Sequence, residues 1–300
     1  MSKKALVIVG PTASGKSALA IHLAKKFAGE IISADSRQVY KRLNVGTGKV
    51  TKKEMGGVKH HLLDIKEPKE SFSANDFKNE AEKAISAIYR CDKLPIIAGG
   101  TGFYIDVLTG YVSLPNVLPN KALRKELEKK SPEALMTMLK EKDPERAKTI
   151  DKHNKVRLIR AVEVIEKLGK SPLPTSSVDR EKFVFIGLLP ENLDEMIRIR
   201  LKKRMPAIIR EVRNLHKKGL TWKRMYELGL EYRYVSLYLR GKYEKKEMEE
   251  KLFVEIRRYA KRQMTWFKRN KDIKWFKPKE RREIEKYVEN KIKASCFCGR

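Results

Sequence analysis

The sequence has little cysteine and no long apolar run. Its three cysteines, Cys91, Cys296 and Cys298, form no Cys-x-x-Cys pair and have no histidine nearby. This pattern excludes a disulfide framework and a cysteine-based zinc site, and we interpret all three as reduced thiols. No stretch of about 18 apolar residues is present, and a strand-like run directly follows Met-Ser-Lys-Lys. We therefore expect no membrane span, no signal peptide and a cytoplasmic location.

Negative charge is also scarce. Lys and Arg number 68 against 38 Asp and Glu, a formal net charge of +30. Residues 191–300 hold 33 of the basic and 16 of the acidic residues, whereas residues 1–110 hold 18 and 11. The lysine-rich surface of a heat-adapted protein is one explanation, but heat adaptation tends to add both signs. The imbalance favours a polyanionic partner larger than a single nucleotide.

One glycine-rich stretch, GPTASGKS at residues 10–17, fits the phosphate-loop pattern G-x-x-x-x-G-K-[ST]. Backbone N–H groups of such a loop surround a phosphate, Lys16 would bring a positive charge to its oxygens, and the Ser17 hydroxyl would ligate Mg²⁺. The motif predicts a diphosphate or triphosphate ligand but does not distinguish ATP, GTP or another compound. The predicted contacts are Gly10, Pro11, Thr12, Ala13, Ser14, Gly15, Lys16 and Ser17.

Apolar runs alternate with helical stretches in the first third of the chain, which predicts an α/β fold with a parallel sheet and crossover helices. We expect a core like that of the P-loop NTPases at residues 1–112 and 183–300, with a basic, helical C-terminal part. Residues 113–182 are predicted to form a helical insertion. The predicted strands are Ala5–Val9, Glu30–Ala34, His61–Ile65, Leu94–Ala98 and Phe183–Leu189.

The basic C-terminal part contains an amphipathic stretch, LFVEIRRYAKRQMTWFKR. Its apolar residues recur at helical steps, so we interpret the aromatic ones as core residues rather than platforms for stacking bases. The basic residues between them would then point outward. The apolar positions are Leu252, Ile256, Tyr259 and Trp266, and the basic ones are Arg257, Arg258, Lys261, Arg262, Lys268 and Arg269.

An aspartate follows the second predicted strand, in EIISADSRQVY. Asp35 would lie near the phosphate-loop ligand, where it could order a magnesium-bound water or act as a general base toward a second substrate. A turn or helix N-cap aspartate is the structural alternative. The polar residues Ser36, Arg37 and Gln38 come next and could contact a nucleic acid.

A second glycine-rich loop follows the strand of LPIIAGGTGFY. Glycines there allow a close backbone approach to a ligand, and the Thr101 hydroxyl could donate to a phosphate oxygen. A plain tight turn is equally compatible with Gly99 and Gly100. Nucleotide-hydrolysing motors usually carry an acidic residue at this strand end to hold Mg²⁺. Its absence favours a diphosphate that departs over a triphosphate that is cleaved.

Taken in order, six stretches resemble the tRNA dimethylallyltransferases, of bacterial type because no zinc-finger extension is present. They are GPTASGKS, SADSRQVY with NVGTGK, HHLLDI, GGTGFY, DPERAKTI with NKVRLIRAVEV, and YAKRQMTWFKR. The resemblance implies transfer of the dimethylallyl group from dimethylallyl diphosphate to the N6 amine of the adenosine 3′-adjacent to the tRNA anticodon. It also implies Mg²⁺, a channel between core and insertion, and contact with the anticodon stem-loop. We expect a monomer.

The resemblance assigns roles to particular residues. Asp35 matches the general base, Thr101 the hydroxyl on the diphosphate, and Lys16 the phosphate-loop cation. Arg200 matches the catalytic arginine best, with Arg198 and Arg204 as open alternatives. LGLEYR departs from the family's Gly-Tyr pair, and the tail after about Trp275 matches nothing. Positions matched to tRNA contacts are Asp35, Ser36, Arg37, Gln38, Thr101, Arg124, Val156, Arg157, Leu158, Ile159 and Arg160.

Three other functions share part of this pattern. A small-metabolite kinase would consume ATP without RNA. An isopentenyltransferase acting on free adenine nucleotides would have no use for the basic final third. An RNA-binding protein that only senses a nucleotide would leave the mass of tRNA unchanged.

Overall fold

The computed structural model describes residues 4–169 and 182–293. The chain divides into two compact units, Met1–Gly110 with Val178–Arg300 and Tyr111–Ser177. The break before the insertion lies two residues from the predicted one. The break after it falls within residues 170–181, outside the described part.

The first unit contains a six-stranded sheet with the strand order β3-β2-β4-β1-β5-β6, and each neighbouring pair of strands is parallel. Strand β1 is completely buried, as a sheet covered on both faces requires. The carboxyl ends of β1, β2 and β4 meet at one edge. The strands are β1 Ala5–Val9, β2 Gly29–Ser33, β3 His60–His61, β4 Leu94–Ala98, β5 Phe183–Leu188 and β6 Lys274–Phe276.

Two strand predictions need correction. The strand predicted at His61–Ile65 is wrong, because only His60 and His61 pair with β2. The chain then turns away, with φ of 62° at Leu62 and 56° at Asp64. The short strand β6 was missed, since three residues carry no readable periodicity.

Helices cover the sheet and extend the first unit. The first four are α1 Lys16–Lys26, α2 Lys52–Met55, α3 Ala74–Arg90 and α4 Gly102–Thr109. The C-terminal five are α9 Leu193–Lys217, α10 Trp222–Leu228, α11 Leu230–Leu239, α12 Lys245–Phe267 and α13 Arg281–Lys293.

Helices α9 to α12 share a hydrophobic core, to which Val39, Tyr40 and Leu43 of the segment after β2 also contribute. On α12, Leu252 and Ile256 are buried, and Tyr259 and Trp266 are partly buried. All six basic residues predicted to point outward, four on α12 and two directly after its end, are exposed. The interpretation of this stretch as a helix with a basic outer face is confirmed.

The second unit contains α5 Lys121–Leu127, α6 Pro132–Lys142, α7 Pro144–Thr149 and α8 Lys155–Leu168. Its core holds a buried carboxylate, Glu163, which is 2% exposed. Glu163 accepts two hydrogen bonds from Arg124 (2.8 and 2.7 Å), one from Arg160 (2.5 Å) and one from the Asn120 N–H group (2.6 Å). Burial alone would raise the pKa of Glu163, but these donors lower it to about 2. Arg124 and Arg160 therefore have a structural role in the insertion.

Replacing this carboxylate should destabilise the insertion. We expect Glu163→Gln to cost on the order of 2 kcal/mol at pH 7, because both guanidinium groups lose a charged acceptor. The folded-state pKa lies below the ordinary value of 4.5. The stabilisation is therefore complete above about pH 4.5 and is lost as the pH falls toward about 2.

Thermal unfolding at several pH values measures this difference. The matched control is Glu166→Gln on the same helix, where Glu166 forms an exposed pair with Lys142. Its effect should stay within about 0.5 kcal/mol. Equal destabilisation by the two substitutions would contradict the structural role of Glu163.

Candidate active site

Three loops meet at the carboxyl edge of the sheet. They follow β1 at residues 10–17, β2 at residues 34–38 and β4 at residues 99–102. Because β2, β4 and β1 are adjacent and parallel, their carboxyl ends lie side by side, where ligands of such sheets bind.

The loop after β1 has the backbone of a phosphate-binding loop. Gly10 and Gly15 have positive φ of 145° and 87°, and a Cβ on Gly10 would lie 2.7 Å from the carbonyl oxygen of Leu188. The Lys16 ammonium donates to the Pro11 carbonyl at 2.6 Å, so the loop closes over its own lysine. The Ser14 hydroxyl is buried without a hydrogen-bond partner in the described structure. A buried, unpaired donor of this kind suits a site that receives an anion.

Burial lowers the pKa of Lys16 to about 7. The charge of Asp35 opposes this shift, and that of Arg200 adds to it. These three groups are therefore within electrostatic reach of one another. A lysine that burial keeps largely neutral will take up a proton when an anion binds beside it.

Asp35 is part of a turn. Its Oδ1 accepts hydrogen bonds from the N–H groups of Arg37 (2.8 Å) and Gln38 (3.3 Å). No hydrogen bond to Oδ2 occurs in the residues that the structure describes. The turn that we considered as an alternative role is present, and it uses only one carboxylate oxygen. The other remains able to accept a proton.

The loop after β4 is joined to this turn. The Ser36 N–H group donates to the Thr101 hydroxyl at 3.0 Å, and the Thr101 N–H group donates to the Ala34 carbonyl at 3.2 Å. A Cβ on Gly99 would lie 2.1 Å from that carbonyl oxygen, so only glycine fits. Because the Thr101 oxygen accepts from Ser36, its own proton is available to donate to a ligand.

Gln263 of α12 links two of the three loops. Its Oε1 accepts from the Thr12 N–H group at 2.8 Å, and its Nε2 donates to the Gly100 carbonyl at 2.9 Å. The side chain is 6% exposed. We did not single out Gln263 from the sequence, although it lies within the quoted stretch YAKRQMTWFKR.

The three candidate arginines on α9 differ in their surroundings. Arg198 pairs with Glu250 at 2.8 Å and stacks on Phe253, so it is engaged elsewhere. Arg204 donates to the Val45 carbonyl. The charge of Arg200 lowers the pKa of Lys16. Desolvation by neighbouring protein atoms and the charge of Arg204 lower the pKa of Arg200, although part of its side chain is exposed to solvent. This electrostatic link favours Arg200 as the arginine that faces the phosphate loop.

Glu231 is a further acidic group near the site that sequence reasoning missed. It lies in the first turn of α11, within the LGLEYR stretch. Burial raises the pKa of Glu231, although the charges of Arg204 and Arg200 oppose the shift. The nearby charge of Asp35 also raises it. The feature of the sequence that could have pointed to Glu231 was the departure of LGLEYR from the family pattern.

The residues after Asp35 have partners within the protein. Arg37 donates through Nε to the Leu228 carbonyl at 2.7 Å, at the end of α10. Gln38 accepts from the Ser33 hydroxyl and donates to the Thr47 carbonyl. A contact with RNA would be additional to these roles.

The remaining predicted tRNA contacts lie in the insertion unit. Val156, which is 78% exposed, and Arg157 are open to a ligand. Leu158 is completely buried and Ile159 is 7% exposed, because both pack in the core of the insertion. Any contact by Leu158 would have to come from its backbone.

Known proteins resemble this chain along nearly its whole length. The sequence profile of the IPP transferase family matches residues 38–270. A tRNA dimethylallyltransferase of Thermoanaerobacter sp. is 38% identical over 314 aligned positions, covering 98% of both chains. The tRNA dimethylallyltransferase 2 of Treponema denticola is 42% identical over 272 positions, covering 88% of this chain and 91% of its own.

Solved structures agree with these matches. The full-length tRNA isopentenylpyrophosphate transferase of Bacillus halodurans superposes with a TM-score of 0.73 at 35% identity and 97% coverage of each chain. A eukaryotic dimethylallyltransferase described as acting on tRNA superposes with a TM-score of 0.82 at 26% identity. That match covers 96% of this chain and 77% of the other.

The low pKa of Lys16 predicts proton uptake when pyrophosphate binds. At pH 8 most free Lys16 is neutral, and the bound anion favours its charged form. Titration calorimetry in two buffers of different ionisation enthalpy measures the uptake. The wild type should take up close to one proton more than Lys16→Arg, which stays charged, and this difference should vanish near pH 6. Equal uptake by both proteins at pH 8 would count against a neutral lysine in the free site.

Proposed function

The chain belongs to the IPP transferase family, and from this we propose that it is a tRNA dimethylallyltransferase. It transfers the dimethylallyl group of dimethylallyl diphosphate to the N6 amine of the adenosine 3′-adjacent to the anticodon. The observation that carries the proposal is the arrangement of Asp35, with one free carboxylate oxygen, within electrostatic reach of Lys16 and Arg200. A proton acceptor and two basic groups that can hold a diphosphate are thus close enough to interact electrostatically.

The reaction is a displacement at the allylic carbon. The adenine nitrogen forms a bond to this carbon while the bond from the carbon to the diphosphate oxygen breaks. Asp35 takes the proton that the amine loses, and the bonding electrons leave with the diphosphate. Negative charge grows on the leaving oxygens. Lys16, Arg200 and the phosphate-loop N–H groups therefore stabilise the transition state more than the ground state.

Thr101 has a defined role in this scheme. Because its oxygen already accepts from the Ser36 N–H group, its hydroxyl proton is available to another acceptor. A leaving diphosphate oxygen is such an acceptor. Removal of one donor of this kind should slow the reaction roughly 10²- to 10³-fold.

The described residues fit a magnesium ion whose ligands come mainly from the bound diphosphate. No group of three or more His, Cys, Asp or Glu side chains able to hold a metal occurs among the described residues. The exposed hydroxyl of Ser17, at the start of α1, can supply one ligand while the diphosphate supplies others, as Mg²⁺ commonly requires. Bound there, Mg²⁺ would neutralise charge on the departing diphosphate.

The tRNA must present its adenine to Asp35. We expect the target base to be turned out of the anticodon loop, at a cost of a few kcal/mol, which is lowest in single-stranded RNA. The exposed basic face of α12 supports a polyanionic substrate. Affinity for tRNA should accordingly fall with salt.

No helix in the described part of the chain is long and apolar enough to cross a membrane. We place the protein in the cytoplasm as a monomer. Light scattering during size-exclusion chromatography measures the monomeric state.

Asp35→Asn tests the proposed base. Asparagine keeps the oxygen that accepts from Arg37 and Gln38, so the turn should survive while the proton acceptor is lost. We expect transfer to fall about 10²- to 10⁴-fold, with affinities for tRNA and pyrophosphate within about twofold of wild type.

The matched control is Asp92→Asn, at an exposed aspartate next to α3, which should leave transfer unchanged. Full transfer by Asp35→Asn would remove Asp35 from the role of base. Loss of binding equal to the loss of transfer would assign it to substrate binding.

A further inference from the structure

The loop of residues 44–49, NVGTGK, has no role in the site as described so far. It is held by one carboxylate, Glu211 of α9. Glu211 accepts from the N–H groups of Asn44 (3.0 Å), Val45 (2.7 Å) and Gly46 (2.9 Å). The Tyr232 hydroxyl donates to it as well, at 2.7 Å. Four donors thus converge on its two oxygens.

The same helix holds the loop at a second point. Arg204 donates to the Val45 carbonyl oxygen. Arg200, Arg204 and Glu211 are spaced by four and seven residues, so they lie on one face of α9. The loop therefore runs along the face that carries the proposed catalytic arginine.

Gly48 brings the loop against that arginine. Its φ is +63°, and a Cβ there would lie 2.6 Å from Nη2 of Arg200 and 3.4 Å from the guanidinium nitrogens of Arg204. Gly46 is constrained in a similar way, since a Cβ would lie 2.6 Å from the Tyr232 ring. The motif needs two glycines because the loop passes between a buried ring and a guanidinium group.

The loop also reaches the turn that holds the base. The Thr47 carbonyl accepts from Nε2 of Gln38 at 3.3 Å, and the Gln38 N–H group donates to Asp35. The loop thus contacts both Arg200 and the turn of Asp35.

We propose that Glu211 is a positioning residue for the diphosphate site. By fixing residues 44–46 it sets the path of the loop, and the loop backbone at Gly48 sets the position of the Arg200 guanidinium. Glu211 itself touches no substrate. Its expected effect on turnover rests on the proposed function, whereas its effect on anion binding rests only on the phosphate loop.

A double-mutant cycle tests this assignment. Glu211→Gln, Arg200→Gln and the double variant are compared for pyrophosphate affinity by calorimetry and for kcat of transfer. Glu211→Gln alone should weaken pyrophosphate binding and lower kcat by about tenfold each, because a small displacement of a catalytic group is costly. When Arg200→Gln is already present, adding Glu211→Gln should lower pyrophosphate affinity and kcat by less than about twofold each.

Glu195→Gln, at an exposed position near the start of α9, is the matched control and should change neither quantity. Tyr232→Phe removes only one of the four donors to Glu211, and it replaces Glu211→Gln in the cycle if that variant does not fold. If the fold losses of the two single variants multiply in the double variant, Glu211 acts independently of Arg200. That result would overturn the proposal. If the wild type transfers no dimethylallyl group, the proposed function is wrong. The double-mutant cycle measured by pyrophosphate affinity still decides the role of Glu211.

Discussion

The close approach of the chain at the ends of β2 and β4 is the constraint on which the site depends. At Gly99 the backbone passes so near Ala34 that a Cβ would lie 2.1 Å from its carbonyl oxygen. This contact allows the Thr101 hydroxyl to meet the Ser36 N–H group. The turn of the proposed base and the loop of the proposed phosphate-binding hydroxyl are therefore joined by close backbone approach at the ends of neighbouring strands.

Electrostatics gives the assembled site its preference for a polyvalent anion. Burial lowers the pKa of Lys16 to about 7, and desolvation together with repulsion from the charge of Arg204 lowers the pKa of Arg200. A dianion relieves this repulsion, and a diphosphate that gains charge as it leaves relieves it further. We therefore expect the arrangement that is unfavourable in the free protein to favour departure of a diphosphate.

Much of this site was predictable from the sequence because each of its loops is one short, continuous stretch of the chain. The phosphate loop, Asp35 and the Gly99–Thr101 stretch each follow an apolar strand directly, and parallel strands bring their carboxyl ends together. Gln263 was not predictable, because its partner Thr12 lies 251 positions away and no spacing rule connects them. The hydrogen bonds from residues 44–46 to Glu211 were also not predicted, because Glu211 is far from them in the sequence. The strand predicted at His61–Ile65 failed because the positive φ at Leu62 is set by turn geometry, which apolar character does not reveal.

Dimethylallyl transfer is tested by measuring the masses of the nucleosides of unmodified tRNA after incubation with the protein, Mg²⁺ and dimethylallyl diphosphate. A parallel reaction contains ATP instead. One adenosine, beside the anticodon, should gain a five-carbon group only with dimethylallyl diphosphate. Unchanged tRNA in that reaction, with ATP consumed in the other, would contradict the proposed transfer and indicate a kinase.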